Sequence, residues 1–72
     1  MKSEVIEIKE EFIRLDSLMK FSGMVATGGE AKVLIQQGEV LVNGEVCTMR
    51  GKKMRDGDVA TYNDFTVEVS RV

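Results

Sequence analysis

The sequence predicts an α+β fold in which two short helices pack on one face of a small, mostly antiparallel sheet. Apolar residues recur with helical spacing only between residues 15 and 38, and strand-like alternation precedes and follows that region. A chain of 72 residues that is 43% apolar and 31% charged is typical of one small globular domain with a modest core. Residues 1–72 are therefore expected to form a single domain that carries its function on its surface.

The N-terminal third of the chain predicts a strand followed by a short helix. Residues 3–8 alternate acidic and aliphatic side chains, which indicates a short strand at the edge of a sheet. The period then becomes helical, with residues at i, i+3, i+4 and i+7 at Leu15, Leu18, Met19 and Ser22. Gly23 is expected to end this helix, and Phe21 is expected to join the core.

A capping signal marks the start of a second helix. Thr27 and Glu30 have the spacing of a capping box, in which each side chain accepts a backbone N–H donor at the helix start. The helix is expected to end at Gly38. Its apolar face would carry Ala31, Leu34 and Ile35, while Lys32 and Gln36 lie four residues apart on a more polar stripe.

Two hairpins are predicted in the second half of the chain. Asn43-Gly44 separates residues 40–42 from residues 45–47, and this dipeptide readily adopts the positive φ angles of a type I′ turn. A second alternating pair, 59–62 and 65–69, flanks a turn at residues 63 and 64. The core of the domain is expected to contain Leu15, Leu18, Leu34, Ile35, Val40, Val42, Val59 and Val67.

Positive charge is concentrated in the middle of a chain whose net charge is −2. Residues 17–55 carry six bases and three acids, whereas the flanking regions are acidic. Arg50, Lys52, Lys53 and Arg55 fall within six residues that contain no acid and show neither helical nor strand periodicity. The run predicts a basic loop, which is either a solvated charge run or a contact surface for phosphate groups.

The residue types that most catalytic and metal sites require are missing from the sequence. It contains no His and a single Cys, so common zinc sites and Ser-His or Cys-His pairs cannot be assembled within the chain. Asp56 and Asp58 flank Gly57 in a predicted turn, where aspartates commonly bond local backbone. The glycine motifs of phosphate-binding and dinucleotide-binding loops are also missing. We therefore expect no enzyme activity, catalytic residue, metal, cofactor or small-molecule substrate.

The sequence also indicates a cytoplasmic location without a membrane partner. No apolar run approaches the roughly 20 residues that a spanning helix needs, and the first residues do not have the pattern of a secretory signal. The single thiol, Cys47, cannot form an internal disulfide and is expected to be a half-buried strand residue.

The order of the motifs carries a resemblance to a known family. Leu-Asp-Ser-Leu at 15–18 opens a helix, a turn through Gly23 and Met24 leads to a capped second helix, and residues 36–44 read Gln-Gln-Gly-Glu-Val-Leu-Val-Asn-Gly. With the later Gly-Asp-Val at 57–59, this order resembles the S-four domain, the RNA-binding module of ribosomal small-subunit protein four. The match covers residues 13–60. The segments 27–32 and 50–55 are similar, more narrowly, to small single-domain bacterial members of the YaaA and YbcJ kind.

This resemblance implies an RNA-binding surface of the α-L motif type. The paired helices and the adjoining loop would bind structured RNA, such as ribosomal or transfer RNA, and a ribosome-associated role would follow. Exposed backbone donors and polar side chains at the start of the second helix would meet phosphates beside the basic loop. Arg14 and Lys20 are as readily explained as solubilising residues. The candidate RNA-binding residues are Arg14, Lys20, Gly28, Gly29, Lys32, Gln36, Arg50, Lys52, Lys53 and Arg55.

Two other classes of function stay open at the level of sequence. One is a protein-interaction module that docks on a ribosomal or other cytoplasmic protein, for example by pairing the edge strand at residues 3–8 with another chain. The other is a small enzyme or carrier. A sulfur carrier of this size would need a C-terminal Gly-Gly, whereas this sequence ends in Ser70-Arg71-Val72.

Overall fold

A computed structural model describes residues 2–72 and confirms the predicted α+β fold, with two helices on one face of a small sheet. Neither helix in this part of the chain is long and apolar enough to cross a membrane. The elements in chain order are β1 (Lys2–Ile8), β2 (Ile13–Arg14), α1 (Leu15–Phe21), α2 (Gly28–Gln36), β3 (Leu41–Val42), β4 (Glu45–Val46), β5 (Lys53–Met54), β6 (Val59–Tyr62) and β7 (Phe65–Arg71).

The main sheet has five strands in the order β1-β7-β6-β3-β4. Its β3–β4, β3–β6 and β6–β7 pairs are antiparallel, which confirms the mostly antiparallel sheet. β1 occupies one edge, as the alternation of residues 3–8 predicted, but it pairs with β7 in parallel. The sequence did not indicate this parallel pairing, because it joins strands from opposite ends of the chain and requires no hairpin turn.

The two helices cover the sheet face that carries Val42, Ala60, Val67 and Val69. The prediction of buried positions is confirmed for Leu15, Leu18, Ile35, Val40, Val42 and Val67, and Leu34 packs half-buried against them. For Val59 it is wrong. Val59 pairs with the exposed Glu68 on the other face of the sheet, while its neighbour Ala60 pairs with Val67 in the core. Successive strand residues alternate between faces, so a register error of one residue exchanges core and surface.

Phe21 is also not a core residue, since 73% of its surface is exposed. The buried side of α1 is formed by Leu15, Leu18 and Met19, followed by Ser22 at the C-cap. Phe21 is the last residue of α1 and lies outside this buried side of the helix. The ring therefore projects from the end of the helix.

The local signals for helix starts and turns are largely confirmed. The Thr27 hydroxyl oxygen accepts from the Glu30 N–H at 3.1 Å, but the Glu30 carboxylate accepts from Ala26 at 3.0 Å and not from Thr27. Asn43 and Gly44 have φ angles of 52° and 86°, as a type I′ turn requires. Cys47 is half-buried, as predicted, but it lies just beyond β4 and not within a strand.

The prediction of an unstructured basic loop is wrong in one respect. Residues 50–55, called the basic segment below, include the strand β5, which pairs with β2 in a separate two-stranded sheet. Met54 of β5 is fully buried in the core, although charged residues flank it. A two-residue strand is too short to show periodicity in a sequence, so only the structure identifies this anchor.

Truncation of Met54 tests the anchoring of the basic segment. Met54→Ala is expected to lower the free energy of unfolding by about 2–5 kcal/mol, because it leaves a cavity in the core. Met49→Ala, at a position 65% exposed, is the matched control and should change stability by about 0.5 kcal/mol or less. Both are measured by denaturant unfolding. Equal effects of the two changes would contradict the anchor, and Met54→Leu should retain most of the stability.

Candidate nucleic-acid interface

The backbone of the basic segment caps the start of α1. The N–H of Leu15 donates to the carbonyl oxygen of Lys52 at 2.9 Å, and the N–H of Asp16 donates to that of Arg50 at 3.1 Å. The N–H of Ser17 donates to the Asp16 carboxylate at 2.8 Å. The first donors of α1, which no helical carbonyl can satisfy, are thus bonded within the protein. The basic segment is held by its main chain, which leaves its charged side chains free to face solvent.

Arg14 joins the basic segment through the pairing of β2 with β5. It lies opposite Lys53 in the ladder, and its guanidinium lies against Gly51, where an added Cβ would stand 3.8 Å from Nη2. The same Nη2 is 3.2 Å from the Asp16 carboxylate. The structure therefore gathers five of the predicted residues into one group, called the basic cluster below: Arg14, Arg50, Lys52, Lys53 and Arg55. All of them are exposed except Lys52, which is half-buried.

Phe12 supports two of the bases in this cluster. The Lys53 ammonium lies 5.1 Å and the Arg55 guanidinium carbon 5.9 Å from the centre of its ring, within the range of cation–π attraction. Arg55 is also 3.9 Å from the Glu11 carboxylate. The roles of Phe12 and Glu11 were not evident from the sequence, since they depend on a pairing between segments about forty residues apart. The contacts of Asp16 with Arg14 and Ser17 are local, but they were not predicted either.

The remaining predicted residues lie on the neighbouring helices. Lys20 on α1 and Gly28, Gly29, Lys32 and Gln36 on α2 are all exposed. Nothing lies within 4 Å of the Cβ position at Gly28, so a ligand can approach the backbone there. They lie on elements next to the basic cluster, because α1 packs against α2 and also against β2 and β5. Within residues 2–72, no hydrogen bond or ion pair links their side chains to the basic cluster.

Asp58 fixes the other end of the basic segment. Its carboxylate accepts from the Arg55 N–H at 2.8 Å and from the Asn43 side-chain NH₂ group at 3.1 Å, and the side-chain Oδ1 of Asn43 accepts from the Val59 N–H at 3.0 Å. The hydrogen bond from the Arg55 N–H is the main cause of a lowered pKa of Asp58, and burial of the carboxylate opposes it. The hydrogen bond from Asn43 and the positive charges of Lys52 and Arg55 lower this pKa further. The predicted local role of Asp58 is confirmed.

Asp56 differs from the prediction for this turn. Its carboxylate accepts a hydrogen bond from the Arg71 N–H at 2.8 Å, so it bonds the end of β7 rather than the backbone beside it. Together, the two aspartates tie the residues that follow the basic segment to the main sheet.

Comparison with known families gives this arrangement its class. The model of the S4 domain family matches residues 6–70, which is most of the chain. The chain belongs to the S4 domain family, as its motif order predicted.

Two relatives show how far the similarity extends. RlbA of Bacillus subtilis, whose name assigns it to ribosome maturation as a probable role, is 38% identical over 60 residues, covering 83% of this chain and 84% of that protein. YbcJ of Escherichia coli, to which its name ascribes RNA binding without establishing it, is 31% identical over 61 residues, covering 85% of this chain and 87% of that protein. The expected likeness to small members of the family is confirmed.

The pH dependence of stability tests the role of Asp58. Because its pKa is lowered on folding, its contribution is present above the unfolded pKa of about 3.9 and is lost as pH falls through the folded pKa. Asp58→Asn should remove this contribution to the loss of stability in acid. It should also lower the free energy of unfolding by about 1 kcal/mol at pH 7, because the single oxygen of an amide cannot accept from both the Arg55 N–H and Asn43. Urea unfolding between pH 7 and pH 2 measures both effects.

Asp64→Asn is the control for loss of one negative charge. Its carboxylate accepts no hydrogen bond within residues 2–72, so this variant should keep the wild-type dependence of stability on pH. If the stability of Asp58→Asn depended on pH in the same way as that of Asp64→Asn, the Asp58 hydrogen bonds would not stabilise the fold.

Proposed function

We propose that this protein is a non-catalytic RNA-binding domain that binds structured RNA, with ribosomal RNA as the favoured class, through the basic cluster. The observation that carries the proposal is the gathering of Arg14 with the four bases of the basic segment, whose main chain is bonded to the start of α1. Membership of the S4 domain family supports it, as do the names of its relatives, one assigned to ribosome maturation and one to RNA binding.

The anchored main chain favours binding of the phosphate backbone. Lys and Arg side chains that neutralise phosphates release counterions, and this release supplies most of the affinity that does not depend on sequence. A segment that is already ordered pays little further entropy when it binds. The pairs of Arg14 with Asp16 and of Arg55 with Glu11, on a chain of net charge −2, favour modest affinity at physiological salt.

The aromatic residues favour recognition of folded RNA over reading of single strands. Single-strand readers stack bases on exposed rings, but cations cover the Phe12 ring, and Phe65 is half-buried with Lys2 lying 4.7 Å from its centre. Tyr62 is also half-buried, and the exposed ring of Phe21 lies in a groove with Glu7 and Glu10 rather than in the basic cluster. A surface of flexible bases with few free rings is suited to the backbone and shape of a folded RNA.

The start of α2 and the neighbouring polar residues are proposed as secondary contacts. The Gly28 and Gly29 N–H groups are unbonded helix-start donors that can meet a phosphate, and Lys32 and Gln36 extend this surface along α2. The Glu30 carboxylate is directed back to the Ala26 N–H. Lys20 adds a charge on α1. A ribosome-associated role would place the protein in the cytoplasm, in contact with RNA and with adjacent ribosomal proteins.

A salt titration with matched variants tests the basic cluster. Contact with four phosphates predicts that log affinity for folded ribosomal RNA fragments falls with log salt at a slope of roughly −3 to −4. Replacing Arg50, Lys52 and Lys53 by Gln should weaken binding strongly and reduce the slope by about 3, or about 1 for each lost contact. Fluorescence anisotropy at several salt concentrations measures both quantities.

The control triple variant replaces Lys2, Lys9 and Arg71 by Gln. It has the same net charge as the first variant, but its changes lie on or next to β1 and β7, away from the basic segment. It should keep most of the affinity and the slope. Equal losses in both variants would show that RNA responds only to net charge, which would contradict the assigned surface. Tighter binding of transfer RNA or of single-stranded oligouridine would contradict the favoured RNA class.

Removal of an internal counter-charge should have the opposite effect. Asp16→Asn keeps an acceptor for the Ser17 N–H but releases the Arg14 guanidinium from its ion pair. RNA affinity at low salt is expected to rise by about two- to fivefold, because an exposed ion pair competes only weakly with a phosphate. Glu45→Gln on β4 is the control for loss of one acid and should leave the affinity nearly unchanged. A fall in affinity on Asp16→Asn would contradict a role for Arg14 in binding.

A further inference from the structure

An open groove of about 840 Å³ lies between β1 and the end of α1, on a part of the molecule that the proposed RNA surface does not use. Ile6, Ile8 and Ile13 contribute aliphatic side chains, and Phe12 and Phe21 contribute aromatic ones. Phe21 is 73% exposed and does not belong to the core, so its ring adds exposed apolar surface to the groove.

The edge of β1 beside this groove has unpaired backbone groups. Within residues 2–72, β1 pairs only with β7. The N–H of Lys2 and the carbonyl oxygen of Ile8 are directed toward the chain around β7. Alternate residues of a strand direct these groups to opposite sides, so those of Ser3, Val5 and Glu7 point away from the sheet. An edge of seven residues with a groove beside it can accept another strand.

The charge around the groove selects among possible occupants. Residues 4–11 contain four acids and one base, and of these Glu7, Glu10 and the base Lys9 line the groove. Lys53 and Arg55 lie over the Phe12 ring but do not line the groove. Pairing of β1 with β1 of a second copy would bring two such acidic segments together, and like charges across strands are destabilising. A basic chain would meet complementary charge, which favours encounter and suppresses other partners.

We propose that β1 and this groove bind an extended segment of another protein that is rich in Lys and Arg and carries apolar side chains at alternate positions. The segment adds to the free edge of β1 through its backbone, and one apolar side chain packs against Phe12 and Phe21. Its basic residues face Glu7 and Glu10. Phe12 adjoins both surfaces, but the basic cluster does not line this groove, so the protein-binding site can be tested separately from the proposed RNA function.

The probe is a seven-residue peptide, matched to the length of β1, that alternates Lys with Val, Phe or Ile. Titration into the ¹⁵N-labelled protein should shift the amide signals of Ser3, Val5 and Glu7 and slow their hydrogen exchange, as backbone pairing requires. Two control peptides replace Lys by Glu, or the apolar residues by Ser. Each should bind at least about tenfold more weakly, the equivalent of one lost anchor.

Three variants separate the parts of the site. Val5→Pro removes a free N–H at an edge position that tolerates proline, Phe21→Ala removes a wall of the groove, and Glu7→Lys inverts its charge. Each should weaken binding of the basic peptide about tenfold or more. Val33→Ala and Glu45→Lys are the controls, since they alter exposed residues on α2 and on the opposite edge strand β4. Both controls should bind as wild type does.

The proposal is wrong if the basic peptide leaves the β1 amides unshifted at millimolar concentration, or if the acidic peptide binds equally well. Concentration-dependent shifts at β1 in the protein alone would instead identify a second copy as the occupant and would also overturn it. The variant with Gln at positions 50, 52 and 53 should bind the peptide normally, so failure of the RNA proposal and of this one can be distinguished.

Discussion

The bonds from the first N–H groups of α1 to the carbonyl oxygens of Arg50 and Lys52 connect the two halves of this small domain. They satisfy a helix start that has no side-chain cap, and they hold in place a segment that a sequence would assign to a loop. The pairing of β2 with β5 and the burial of Met54 act at the same junction. The first helix, the basic cluster and the core therefore depend on one another.

This junction has an electrostatic cost that nearby acids offset. The start of a helix carries partial positive charge, so bases placed around it repel the helix dipole as well as one another. Asp16, in the first turn of α1, is stabilising there and also binds Arg14, while Glu11 lies beside Arg55. Phe12 lies between the basic cluster and the acidic groove, since cations cover its ring and it also lines the groove. Charge separation on the surface thus follows from a few contacts around one residue.

Local patterns in the sequence were sufficient to predict much of the fold. Asn43-Gly44 identified its hairpin because few residues adopt positive φ, and the spacing of Leu15 and Leu18 identified the buried side of α1. Long-range pairing was not accessible in this way. β5 is two residues long, and the assignment of Val59 to the core failed because register decides which face a strand residue occupies. For the same reason, the sequence named the bases of the basic cluster but not the contacts that gather them.

The start of α1 is capped by main-chain carbonyl oxygens, so the charged side chains of the basic segment can vary in evolution. Every residue type supplies a carbonyl, so replacement of Arg50 or Lys52 leaves the helix start bonded. Met54 carries the packing for the whole segment, and it faces away from any ligand. Mutation can therefore alter the number and placement of charges while the backbone beneath them is conserved. Related chains can thus differ in ligand preference while the start of α1 stays bonded and Met54 stays packed.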